Sequence, residues 1–211
     1  MSVAQRYPIM LSVEGWTAVI VGGGAVAARK ARGLLAAGAV VKCVAPEFCE
    51  DMPGEVERVT AAYQPSVLDD ASLVFVATDR PEVNEAVVRD ALWRKLLVNR
   101  ADVDEDQPGN FIVPAVYCSG AVTVTVSAGS PALSALVRDR LSKAFDPHWE
   151  TMAEAMKELR PAIRSANLEI GKRRLIFRDL ATEQAIDIVG AQGLEGLKRW
   201  LFERHPELTH A

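Results

Sequence analysis

Cysteine and histidine are both scarce in this chain, and neither is arranged for a structural role. Cys43, Cys49 and Cys118 form an odd count without paired spacing, which excludes a disulfide framework. The histidines, His148, His205 and His210, all lie in the C-terminal third, far from any cysteine. No resident metal site is therefore expected. Long apolar runs are also missing: none approaches the roughly 18 residues of a membrane span. The N-terminal segment carries one basic residue and too short an apolar stretch for a secretory leader. A cytoplasmic protein with no membrane partner is expected. Nor is there an excess of positive charge. The net charge of −4 argues against nucleic acid as the principal partner.

The 211 residues are 49% hydrophobic and 25% charged, the balance of a globular chain able to bury a core in one or two domains. Residues 17–22 (TAVIVG) are a β-branched run ending in glycine, as a buried parallel strand requires. A helix is expected over 25–37, stopped by Gly38. Further strands are expected at 40–45, 73–77 and 96–99, with a helix over 81–94. Alternating strands and helices imply parallel βαβ units with right-handed crossovers.

After Asn110 the pattern changes. Residues 111–117 and 121–127 read as two extended segments joined at Ser119-Gly120, the second alternating Val with small polar residues. Ser130-Pro131 opens a helix running to about residue 145, with Ser as its cap and Pro as its first residue. From Pro147 the chain reads as helical, with interruptions near Pro161, Gly171 and Gly190–Gly193. The expected architecture is α/β: a Rossmann-type domain over 1–112, a strand-helix segment over 113–146 and a helical domain over 147–211.

Gly22-Gly23-Gly24-Ala25-Val26-Ala27 fits G-x-G-x-x-A between a strand and a helix. In that motif the first glycine makes the tight turn and the second lets backbone approach a pyrophosphate. The small last residue lets helix pack on strand. The helix N-terminus supplies free amides and a positive dipole end. A flavodoxin-like or methyltransferase sheet with a glycine-rich turn is the alternative on these residues alone. The acid expected at the end of the second strand is displaced to Glu47, after Ala45-Pro46, and no cation follows at once to hold a 2′-phosphate. NAD is thus favoured over NADP. Neither Tyr63 nor Tyr117 has the Lys four residues later that short-chain reductase chemistry needs.

One stretch departs from the overall acidity: residues 157–178 hold seven basic residues (Lys157, Arg160, Arg164, Lys172, Arg173, Arg174, Arg178) against Glu158 and Glu169. Such a run reads either as a solvated helix face or as a seat for a polyanion, since guanidinium groups bind carboxylates in bidentate fashion.

The segments YPIMLSVEGWTAVIVGGGAVAARKARGLLAAGA, VAPEF, VFVATDRPEVN, VNRAD, FIVPAV and VSAGSPALSALVRDRL together resemble the precorrin-2 dehydrogenase family, including the N-terminal part of siroheme synthases. The resemblance implies NAD-dependent oxidation of precorrin-2, a tetrapyrrole polycarboxylate, to sirohydrochlorin. Some members also take ferrous iron as a substrate and insert it to give siroheme. It implies a homodimer joined through the middle segment. Carried over position by position, it places cofactor contacts at Gly22, Gly24, Ala25, Val26, Pro46, Glu47, Thr78 and Asp79. It places the catalytic aspartate at Asp102 and substrate contacts at Asn99. The basic tail supplies Arg173 and Arg174 as further substrate contacts for the same polyanion. The Ser127-Ala128-Gly129 loop is shorter than its counterpart in the family. A reading of a different class stays open beside this one: a non-enzymatic, NAD-responsive regulatory Rossmann module.

Overall fold

A computed structural model describes residues 6–101, 109–166 and 168–210. The chain divides into two compact units, Met1–Val113 and Pro114–Ala211.

The first unit is built on apolar strands too short to stand alone. β1 (Thr17–Val21), β2 (Val40–Ala45), β3 (Glu57–Thr60), β4 (Leu73–Val76) and β5 (Leu97–Arg100) form one sheet in the order β3-β2-β1-β4-β5. Every pairing is parallel, with Val21 opposite both Val44 and Val76. Helices α1 (Ala25–Ala36) and α2 (Pro81–Trp93) make the crossovers. Successive side chains of a strand point to opposite faces, so β1 feeds two cores. Ala18 and Ile20 pack with Ala27, Ala28 and Ala31 of α1 on one face. Val19 and Val21 pack with Val87, Val88 and Ala91 of α2 on the other. All four residues of β4 are buried, which explains why that run shows no polar alternation.

No strand is expected at 57–60 from the residues alone. ERVT carries no apolar run, yet it pairs in register with β2 at the edge of the sheet. Lys42 of β2 reaches Glu57 at 3.3 Å, and the charged edge discourages pairing with another chain. After β5 the chain leaves at Ala101 and is again beside the strand at Gly109, which bridges Asn99 in antiparallel fashion. Asn110 then closes the edge. Its Oδ1 accepts from the Val98 amide and its Nδ2 donates to the Leu96 carbonyl, both at 2.8 Å.

In the second unit a hairpin of β6 (Ala115–Ser119) and β7 (Val122–Val126) turns at Gly120, whose φ is +51°. The expected strand over 111–117 therefore begins four residues later. Pro114 cannot donate to a ladder, and Phe111 is engaged in the first unit, edge-on to Phe75 at 5.6 Å. Helix α3 (Pro131–Lys143) is capped as expected, Ser130 Oγ accepting from the Leu133 amide at 3.2 Å.

Helices α4 (Pro147–Ser165), α5 (Ile170–Leu180) and α6 (Glu183–Arg204) share a core. Met152, Ala155, Leu159 and Ile163, at helical spacing on α4, meet Ile176, Leu180, Val189, Leu197 and Leu201. Pro161 does not interrupt α4, and Gly171 lies inside α5. The helix ends instead at Ser165, with Ala166 as its C-cap, while the only non-helical residue within α6 is Gly193, with φ +65°. Among the described residues no helix is long and apolar enough to cross a membrane.

Candidate functional site

The order β3-β2-β1-β4-β5 makes the chain run outward in both directions from β1. The crevice beyond the carboxyl ends of β1 and β4 is thus the switch point at which open α/β sheets take ligands. The glycine turn fills that edge. Gly22 donates its amide to the Val44 carbonyl at 2.9 Å, and Cys49 donates to the Gly23 carbonyl at 2.8 Å. The turn is thereby fastened to the end of β2 and the loop after it.

Each of the three glycines answers a different demand. Gly22 has φ +136°, and a Cβ there would run into the Ala77 carbonyl oxygen. A Cβ on Gly23 would collide with the Glu47 carbonyl oxygen and lie 2.9 Å from the Ala45 Cβ. Gly23 occupies an unspecified position of the fingerprint, so the motif alone did not single it out. Only the close passage of the β2 loop shows why glycine is needed there. Gly24 is different: a Cβ would meet nothing within 4 Å. It is the N-cap of α1 in extended conformation, with no side-chain cap and no acidic residue in the first turn. Gly24, Ala25 and Val26 are exposed while Ala27 is fully buried against the sheet. The first amides of a helix lack intrahelical partners. Here they open to solvent with the positive dipole end behind them, an arrangement that fits the pyrophosphate of a dinucleotide.

On the β2 side the turn is bordered by Pro46 and Glu47, both exposed. Cys43 of β2 is buried in the core, where desolvation pushes its thiol up to about 12. On the β4 side lie Thr78 and exposed Asp79, held by a residue the sequence reading missed. Asn84 of α2 is 0% exposed. It donates Nδ2 to the Thr78 carbonyl at 2.9 Å and accepts from Thr78 Oγ1 at 2.5 Å. The Arg80 amide donates to Thr78 Oγ1 at 3.1 Å. A buried asparagine one turn into a helix that follows a site loop was the available signal. We expect Asn84→Ala to remove the donor that Asn84 gives the Thr78 carbonyl and to destabilise the first unit by about 1–3 kcal/mol. Thermal melting of the variant at the wild-type temperature would contradict this.

The eight cofactor positions expected from the sequence thus gather along one edge of the sheet. Asn99 lies at the carboxyl end of β5, 5% exposed, with its Nδ2 donating to the Phe111 carbonyl at 3.1 Å. In this state its amide holds the returning chain. Asp102 lies outside the described residues, as do Asp104, Glu105 and Asp106. Arg173 and Arg174 are on α5 of the second unit. Among the described residues no group of three or more His, Cys, Asp or Glu is placed to hold a metal ion.

Residues 9–115 match the model of a family described as "Putative NAD(P)-binding". The chain is 34% identical over 190 residues to a siroheme synthase of Chromobacterium violaceum, covering 87% of this chain and 40% of that protein. It is 33% identical over 200 residues to siroheme synthase 2 of Aeromonas hydrophila, covering 92% and 42%. The chain therefore spans about two fifths of the length of these curated relatives. Among solved structures, SirC, a precorrin-2 dehydrogenase, superposes with a TM-score of 0.77 at 23% identity. That match covers 94% of this chain and all of the other, and it shows a shared fold.

Proposed function

This chain belongs to that NAD(P)-binding family, and on that premise we propose that it oxidises precorrin-2 to sirohydrochlorin with NAD. The observation that carries the cofactor is the open N-terminus of α1 beside a glycine turn locked by its neighbours. Similarity to siroheme synthases over most of this chain, and a fold shared with SirC along its length, support the substrate. When bound, the nicotinamide supplies the hydride acceptor. The amides of Gly24, Ala25 and Val26 would hold the pyrophosphate. Pro46 and Glu47 border the ribose, where the Glu47 carboxylate repels a 2′-phosphate and so favours NAD over NADP. Thr78 and Asp79, fixed by Asn84, form the opposite wall. Oxidation removes a hydride and a proton from the substrate. Asp102, two residues beyond the end of β5, is proposed to take the proton, and Asn99, Arg173 and Arg174 to contact the tetrapyrrole.

The decisive experiment incubates the protein with precorrin-2 and NAD and follows the absorbance of sirohydrochlorin. Ferrous iron added afterwards reads out chelation. NAD binding with no turnover would instead favour an NAD-responsive regulatory module.

A homodimer through the hairpin and α3 belongs to the same proposal. Between residues 115 and 143, Ser134 is the only buried residue among those described. Leu133 and Leu136 stay 46% and 52% exposed. A two-stranded hairpin is marginal by itself, and a second copy related by a two-fold axis would cover these side chains. Light scattering at micromolar concentration is expected to give twice the chain mass. A monomer mass would count against the dimer.

A further inference from the structure

The cations of the second unit, which include the basic stretch that the sequence singled out, divide into two populations in the folded chain. Some cations of the second unit have carboxylate partners: Lys172 with Glu207 at 3.1 Å, Lys198 with Glu158 and Glu195, and Arg204 with Asp179. Lys157, Arg160, Arg164, Arg173, Arg174 and Arg178 have no carboxylate within 4.0 Å among the described residues. Glu158, the acid nearest to Arg160 in sequence, is engaged by Lys198.

Four of these, Arg160, Arg164, Arg173 and Arg174, are not scattered. Arg160 and Arg164 are one turn apart on α4, and with Phe177 of α5 they line a surface recess. The Arg160 guanidinium lies over the Phe177 ring, 5.8 Å from its centroid. Arg173 and Arg174 precede Phe177 by four and three residues, the spacing that puts side chains on one helix face. Stacking on the ring fixes Arg160 and reduces the rotamer freedom it would lose on gripping a ligand. Like charges one turn apart on a helix are mildly destabilising without a counter-charge. Planar guanidinium forks match carboxylate oxygens two at a time.

We propose that the recess formed by Arg160, Arg164 and Phe177 is a carboxylate subsite. It grips acid side chains of the tetrapyrrole, with Arg173 and Arg174 extending it along α5. This inference rests on the proposed precorrin-2 activity and narrows the basic stretch, which the sequence offers either as a solvated face or as a polyanion seat, to one recess at Arg160, Arg164 and Phe177. The pyrophosphate of the dinucleotide, which has similar chemistry, already has its seat at the glycine turn.

The test compares wild type with Arg160→Ala/Arg164→Ala and Arg160→Lys/Arg164→Lys. Each is titrated with sirohydrochlorin and with uroporphyrin, both octacarboxylates, at low and high salt. Each is also assayed with precorrin-2. In the alanine pair the tetrapyrrole Kd and the precorrin-2 KM are expected to rise by about ten- to a hundredfold, as loss of charge-assisted hydrogen bonds predicts. The salt dependence should flatten, with NAD affinity at the wild-type value. The lysine pair keeps the charge but not the fork and should recover only part of the affinity. Equal tetrapyrrole affinity in wild type and a folded alanine pair, with wild type still oxidising precorrin-2, overturns the subsite and leaves the activity standing. Arginine-dependent tetrapyrrole binding without oxidation supports the subsite and overturns the activity. A wild type that neither binds nor oxidises a tetrapyrrole overturns both.

Discussion

Asp102→Asn is expected to lower the rate of precorrin-2 oxidation by at least about a hundredfold while leaving NAD binding intact. The substitution keeps the shape of the side chain and removes both its charge and nearly all of its basicity. General-base contributions span about 10²–10⁴-fold, so the lower end of that range is the minimum consistent with the role. In the proposed role the negative charge would also favour the positive character that builds on the substrate as hydride departs. On the proposed reading NAD affinity is set elsewhere, at the glycine turn, and should not move. If ferrous iron is inserted by the same carboxylate, chelation should fall in parallel. A steady-state assay of Asp102→Asn beside Asp104→Asn decides the placement. Near-normal oxidation by the first variant with loss in the second would assign the base to Asp104 instead.

The second large effect concerns Gly24. Because a Cβ there meets nothing within 4 Å, Gly24→Asp should fold and melt like wild type. Its carboxylate would occupy the space open to the phosphates and oppose their charge. Like-charge contacts in an interface cost several kcal/mol, so the NAD Kd should rise by about a hundredfold or more. Gly23→Ala should behave in the opposite way. Its methyl group would collide with the Glu47 backbone, so the loss should appear in thermal stability before it appears in binding. Calorimetric titration and melting of the two variants separate these outcomes. A folded Gly24→Asp protein with wild-type NAD affinity would remove the turn from the cofactor site.

Legibility in the sequence followed the range of the forces involved. The strands at 40–45 and 73–77 and the first two helices were readable because buried apolar runs and helix stops are local signals. The observed β2, β4, α1 and α2 lie within a residue of those bounds. Ser130 as the cap of α3 was equally local. β3 was not readable, because Glu57–Thr60 has no pattern of its own and becomes a strand only by pairing with β2. The break expected at Pro161 did not occur. Met152, Ala155, Leu159 and Ile163 bury one continuous face across it, and that packing outweighs the lost donor.

At the site the same division holds. The motif marked Gly22 and Gly24 and the family resemblance marked Thr78. Asn84 owes its importance to burial against the Thr78 loop six residues before it, and Gly23 to the Glu47 backbone that approaches from elsewhere in the sequence.

By itself the sequence determined that residues 17–45 form a strand, a glycine turn, a helix and a second strand, and that a basic run lies in the tail. These follow from spacing and side-chain type along a single segment. Only the tertiary structure decided that β2 and β4 flank β1, so that their loops enclose the glycine turn. It alone showed which arginines of the tail stand without carboxylates around Phe177. The physical reason is that hydrogen-bond partners, steric limits and ion pairs across tens of residues depend on the packing of whole elements. No local pattern of residues encodes that packing on its own.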